Sequence, residues 1–114
     1  MDAFVDACIS EADAEPEKHW GLQIVKRSNG REAVQLMEAM WSARIEGRLG
    51  EIVQPTLLIH GRNDRVTPMN MSEAMAARIP NAKLVIFEDA GHVPVITRGA
   101  HVAREIEAYF TARP

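Results

Sequence analysis

The sequence holds a single cysteine, Cys8, in 114 residues. One thiol cannot close an intramolecular disulfide, which suits a reducing compartment and makes the cytoplasm the expected location. No apolar run approaches the roughly 18 residues of a spanning helix, and Met1-Asp2-Ala3 does not open a signal peptide. A membrane role is therefore not expected. A basic excess is lacking too: 13 Lys and Arg face 16 Asp and Glu, for a net charge of −3. The imbalance lies in residues 1–50, while the remainder carries as many bases as acids. Such a chain offers no electrostatic footprint for nucleic acid. Internal repeats and low-complexity tracts are absent, as is short metal-ligand spacing such as His-x-x-x-His. Neither a resident cofactor nor a metal is expected.

What is present is an ordinary globular composition, 46% hydrophobic and 25% charged, enough for one small core. The chain is organised around Pro55-Thr56-Leu57-Leu58-Ile59-His60-Gly61-Arg62-Asn63-Asp64-Arg65-Val66-Thr67-Pro68. The continuous Leu-Leu-Ile run reads as a strand buried on both faces, as in a parallel sheet. Asp64 then falls just past the strand's carboxyl end, where open α/β sheets keep their ligands. A second strand, Lys83-Leu84-Val85-Ile86-Phe87, runs into Glu88-Asp89-Ala90-Gly91-His92-Val93-Pro94. Two successive strands thus deliver an aspartate and a histidine 28 residues apart.

The flanking segments read as helices. Residues 1–13 place Phe4, Val5, Cys8, Ile9 and Ala12 on one helical face, and Pro16 closes that segment. A short helix over Glu17–Arg27 carries Trp20 and Ile24. Asn29, with Glu32 three residues on, predicts an N-cap for a helix running to about Glu46. Its apolar face is Ala33, Val34, Met37, Met40, Trp41 and Ile45, with Gly47 and Gly50 ending it. Pro68 suits the first turn of a helix bearing Met71, Ala74, Met75 and Ile79, with Asn70 as an alternative start. Thr97 is expected to cap a last helix with Val102, Ile106, Tyr109 and Phe110. A right-handed crossover makes the two strands parallel neighbours.

A strand ending in Gly-x-x-Asp-x-x-x-Pro, then a helix, a second strand and Gly-His-x-Pro, resembles the carboxyl-terminal part of an α/β-hydrolase. The likeness runs from about Leu49 to Phe110. The resemblance implies a partial α/β-hydrolase fold: a helical lid remnant over residues 1–48, then β-α-β-α with two parallel strands over 49–114. In that family the acid follows one late strand and the histidine the next, which maps Asp64 to the acid and His92 to the general base. The implied chemistry is acyl transfer on a small ester-like or lactone-like molecule. Related families with the same pair cleave epoxides, haloalkanes or carbon–carbon bonds, or act as perhydrolases.

The resemblance also shows what is missing. The family's nucleophile elbow, Gly-x-Ser-x-Gly, does not occur: Ser10, Ser28, Ser42 and Ser72 all lack the flanking glycines. A complete member also has a larger sheet and a much longer chain. The chain by itself is therefore expected to be inactive, with the nucleophile encoded upstream or lost. After the histidine, Val95-Ile96-Thr97-Arg98-Gly99 stands where homologous loops often continue with an acid and a proline.

Other readings of the same residues stay open at this point. Asp64 taken singly would be a turn former, and Asp89 is the alternative acid. His60 reads as packing or support, and His60, Asp64 and His92 together as an alternative zinc set. Met37, Met40 and Trp41 are candidates to line a substrate pocket under the lid, or simply core. Gly61 and Gly91 are expected to permit tight turns. Cys8, on an apolar face without a nearby histidine, is a poor nucleophile. A non-catalytic module is the remaining alternative: two strands alone leave unpaired edges, so self-association through them is expected.

Overall fold

The computed structural model describes residues 2–112. Three helices come first: α1 (Asp2–Cys8), α2 (Glu15–Lys26) and α3 (Gly30–Ser42). A 3-10 helix over Glu46–Glu51 then leads to β1 (Thr56–Gly61), α4 (Met69–Arg78), β2 (Ala82–Phe87), α5 (Pro94–Thr97) and α6 (Gly99–Thr111). Strands β1 and β2 pair in parallel, from Thr56 opposite Ala82 to Gly61 opposite Phe87. The register brings both carboxyl ends to the same edge, so the loops after them lie side by side.

Two small cores hold the molecule. Phe87, Ala90 and Val102 pack with Ile59 and Val85, joining both strands to α6. The Phe87 ring is 2% exposed and stacks on His101 with centroids 4.0 Å apart. Burying a side chain of that size contributes on the order of 2 kcal/mol. The second core gathers Val5, Ile9 and Ala14 with Cys8, Leu22, Val25 and Val93. Val93 directly follows His92, so this second core reaches the histidine loop.

Several local expectations are corrected. Helix α1 stops at Cys8 rather than running to residue 13, because the Cys8 carbonyl accepts the backbone N–H of His92 at 3.0 Å. A tertiary bond replaces the next helical one. Pro16 opens α2 instead of merely closing what precedes it, since its missing N–H costs nothing in a first turn. Asn29 does cap α3, its side chain accepting the Arg31 N–H at 3.0 Å. That helix ends at Ser42, short of Glu46. Arg44 takes φ 43°, a left-handed conformation that breaks the run, and Gly47 and Gly50 fall inside the 3-10 helix. Helix α4 begins at Met69, between the two expected starts.

Thr97 does not cap α6. It ends α5, and its hydroxyl donates to Glu11 Oε1 at 2.6 Å instead. Val102 and Tyr109 are buried as expected, while Ile106 and Phe110 stay exposed. Leu57, Leu58 and Ile59 are half-buried rather than buried on both faces, because the described residues form a two-stranded sheet with little to cover it. No described helix is long and apolar enough to cross a membrane.

Candidate active site

The site begins where the two strands end. Arg62 N–H donates to the Phe87 carbonyl at 2.8 Å and Asn63 N–H to the Ala90 carbonyl at 3.0 Å, stitching one loop to the other. Arg62 adds a two-pronged ion pair with Glu88 at 2.9 and 3.0 Å. The loops can approach this closely only because Gly61 has no side chain. A Cβ there would overlap the backbone carbonyls of Ala90 and Gly91. Gly91 is similarly confined, by Ser10, Cys8 and Glu11. Neither glycine has a positive φ, so close approach rather than turn geometry explains both.

Asp64 and His92 meet across this seam. His92 Nδ1 lies 2.9 Å from Asp64 Oδ2. The aspartate side chain is 5% exposed and the imidazole 32% exposed. Asp64 Oδ1 accepts the N–H groups of Val66 and Thr67, both at 2.8 Å, so the turn itself fixes the carboxylate. Burial alone would raise the Asp64 pKa, but the Thr67 N–H, the His92 ring and the Val66 N–H outweigh it and hold the group below its ordinary value. A buried anion facing Nδ1 keeps the proton on that nitrogen and leaves the Nε2 lone pair for a proton from elsewhere. Among the described residues nothing bonds Nε2.

The other candidates fall elsewhere. Asp89 pairs with Arg98 at 2.9 Å, its side chain 69% exposed. His60 is buried behind Asp64, 3.3 Å from Oδ2. Among the described residues no group of three or more His, Cys, Asp and Glu side chains is placed to hold a metal. Met40 and Trp41 line a groove of about 330 Å³ with Ile45, Leu49, Met71 and Met75, which neither Asp64 nor His92 lines; Met37 lies outside that lining and is also exposed. A separate apolar cavity of about 230 Å³ adjoins the histidine loop. Phe4, Cys8, Trp20 and Ile24 form one side, and Val93 and Ile96 the other. The Cys8 thiol pKa is pushed up, first by burial and then by the Asp64 charge, which disfavours the thiolate.

One residue escaped the sequence reading. Glu11 is 6% exposed and accepts the Gly91 N–H at 2.8 Å and the Thr97 hydroxyl at 2.6 Å through Oε1. Burial raises its pKa, but those two donors, its own backbone and Arg98 reverse the shift, leaving it below the ordinary range. Arg98 reaches past it to Asp13 at 3.1 Å. Thr97 and Arg98 belong to the stretch that departs from the family pattern after the histidine. No local pattern in the sequence signalled Glu11, which lies 86 residues from Thr97.

Against this geometry the comparisons are consistent. The family model for the alpha/beta hydrolase fold matches residues 1–99, so the chain belongs to the α/β-hydrolase fold family. It is 36% identical over 61 residues to the pimeloyl-[acyl-carrier protein] methyl ester esterase of Nitrosomonas europaea, covering 54% of this chain and 24% of that protein. It is 53% identical over 45 residues to the 2-hydroxy-6-oxononadienedioate/2-hydroxy-6-oxononatrienedioate hydrolase of Cupriavidus pinatubonensis, covering 40% of this chain and 16% of that protein. The esterase from Exiguobacterium antarcticum superposes with a TM-score of 0.83 at 22% identity, over 94% of this chain and 40% of that one. The chain thus spans well under half of the proteins it resembles.

Proposed function

We propose that residues 49–112 supply the acid and general base of an acyl-transfer hydrolase, and that residues 2–48 act as part of its lid. The 2.9 Å contact between Asp64 Oδ2 and His92 Nδ1, with Nε2 left unbonded among the described residues, carries this reading. In it, His92 Nε2 takes the proton of an attacking hydroxyl and returns it to the leaving group, while Asp64 holds the tautomer and stabilises the imidazolium. The sequence has no Gly-x-Ser-x-Gly elbow, so the nucleophile has to come from residues outside it. The chain alone then hydrolyses nothing.

The substrate is a small neutral ester or lactone with an apolar substituent. That substituent occupies the cavity beside Val93, whose walls carry no charged side chain. The substrate-lining role expected of Met37, Met40 and Trp41 passes to Phe4, Trp20, Val93 and Ile96. A second reading keeps Asp64 and His92 but breaks a carbon–carbon bond, in a dioate of the kind for which the Cupriavidus relative is named. A dioate carboxylate placed in this cavity would have no counter-charge among its walls, which favours the ester.

The experiment joins this sequence to the nucleophile-bearing part of an esterase relative and follows p-nitrophenyl acetate and butyrate. The chain by itself should match the buffer rate, and the joined protein should turn over both. His92→Ala should then lower kcat by about 10³-fold or more. A joined protein that stays active without His92 would refute the proposal.

A further inference from the structure

Behind the pair of Asp64 and His92 sits a second imidazole with both ring nitrogens engaged. His60, on the penultimate residue of β1, is 7% exposed. Its Nε2 lies 3.1 Å from the Thr67 carbonyl and 3.3 Å from Asp64 Oδ2. Its Nδ1 lies 2.5 Å from the Ser72 hydroxyl on α4. A carbonyl and a carboxylate can only accept, so Nε2 carries the hydrogen. In the neutral ring Nδ1 is then an acceptor, and the Ser72 hydroxyl donates to it. The tautomer follows from the partners alone.

The Asp64 carboxylate completes the account. Oδ1 is filled by two backbone N–H groups, and Oδ2 faces His92 on its open side and His60 on its buried side. We infer that His60, oriented by Ser72, is a positioning residue that holds Asp64 Oδ2 toward His92 Nδ1. By bonding the Thr67 carbonyl as well, His60 ties the turn that presents Asp64 back to the strand it leaves. Ser72 thereby links the first turn of α4 to a proton held at the far end of a chain of four groups: Ser72, His60, Asp64, His92. Without the Ser72 hydroxyl, His60 Nδ1 loses its donor, and the ring keeps its hydrogen on Nε2 but is free to tilt. Nε2 then aims less directly at its two acceptors, and the hold on the buried side of Oδ2 slackens. The inference rests on the acid–base pair proposed above, and its test separates the two.

The test labels the histidine rings of the whole chain with ¹⁵N and reads each tautomer by NMR. In the unmodified chain His60 should show hydrogen on Nε2 and His92 hydrogen on Nδ1. Ser72→Ala suits a helix but strands the buried His60 Nδ1, so it should lower the melting temperature while leaving the chain folded. It should leave the hydrogen on His60 Nε2 but speed solvent exchange of that proton and of the His92 Nδ1 proton roughly two- to tenfold, the scale of one hydrogen bond. Ser72→Thr keeps the hydroxyl and should restore both signals. Unaltered His92 exchange in Ser72→Ala, or an Nδ1–H tautomer at His60 in the unmodified chain, overturns the inference and leaves the acid–base pair standing. A His92 ring indistinguishable from free imidazole in the unmodified chain sinks the pair and the inference together.

Discussion

Residues 2–14 and residues 30–45 are both amphipathic and largely helical, yet they meet opposite fates. The first segment buries Val5, Ile9, Glu11 and Ala14 and bonds directly to the histidine loop through Cys8 and Glu11. Helix α3 buries nothing, and Trp41 at its end is 72% exposed. Hydrophobic periodicity is equally clear in both. The difference lies in polar partners: the short segment aims a carbonyl and a carboxylate at N–H groups that need them, whereas α3 brings only side chains seeking apolar cover. An apolar stripe records what a helix is made to touch. Hydrogen bonds with one geometry decide where it is fixed.

If the fixed region is the chemical one, the largest effects belong at its centre. Asp64→Asn should leave the fold intact but lower kcat by about 10⁴-fold in the joined protein described above, because an amide no longer favours hydrogen on His92 Nδ1. An Asp64→Asn variant within tenfold of the parent would remove Asp64 from the reaction. Next comes Gly61→Ala, which drives a methyl group into the Ala90 and Gly91 carbonyls. Overpacking against backbone should cost about 3 kcal/mol in urea unfolding and part the two loops. The same change at Gly30, where nothing lies within 4 Å, should be near neutral or stabilising, which makes it the matched control.

The link between residues 2–14 and the histidine loop has its own signature in pH. Glu11 and Asp64 both sit below their ordinary pKa values of 4.5 and 3.8. A carboxylate lowered on folding adds stability that is complete above its unfolded pKa and is lost as pH falls through the folded one. Stability should therefore hold from neutral pH to about pH 5 and decline steeply below. Glu11→Ala strands the Gly91 N–H and the Thr97 hydroxyl and should cost about 1–3 kcal/mol at pH 7. Glu11→Gln keeps an acceptor for both, should cost less, and should flatten the acid decline. An acid limb unchanged in Glu11→Gln would show that Glu11 does not couple the two regions.

The contrast also explains what could be read in advance. Asp64 and His92 were legible because each lies just beyond a strand, and strand order brings such loops together whatever fills the rest. The parallel pairing followed from the same logic. Glu11 was not legible, since its partners Gly91 and Thr97 lie 80 and 86 residues away and no local pattern announces them. The end of α3 was misplaced because a left-handed Arg44, not a glycine, breaks it. Leu57 to Ile59 looked fully buried because the residue types record suitability for cover, and the described two-stranded sheet supplies only half of it.

The smallest effect on the fold should come from the surface that α3 leaves open. Trp41→Ser removes an exposed ring from the groove it shares with Met40, Met71 and Met75. Such a change should alter unfolding free energy by no more than about 0.5 kcal/mol, because little apolar area returns to water. Its effect on association should be far larger. An apolar groove beside strands with unpaired edges favours contact between copies. The unmodified chain should therefore sediment with a concentration-dependent mass, and Trp41→Ser should shift it toward monomer. A second change, Leu84→Pro on β2, separates the two surfaces, because its backbone N–H points away from β1 and a proline there opposes edge pairing without lining the groove. If Trp41→Ser leaves the mass distribution unchanged while Leu84→Pro collapses it, the edges and not α3 hold copies together. The exposed helix would then have no part in that assembly.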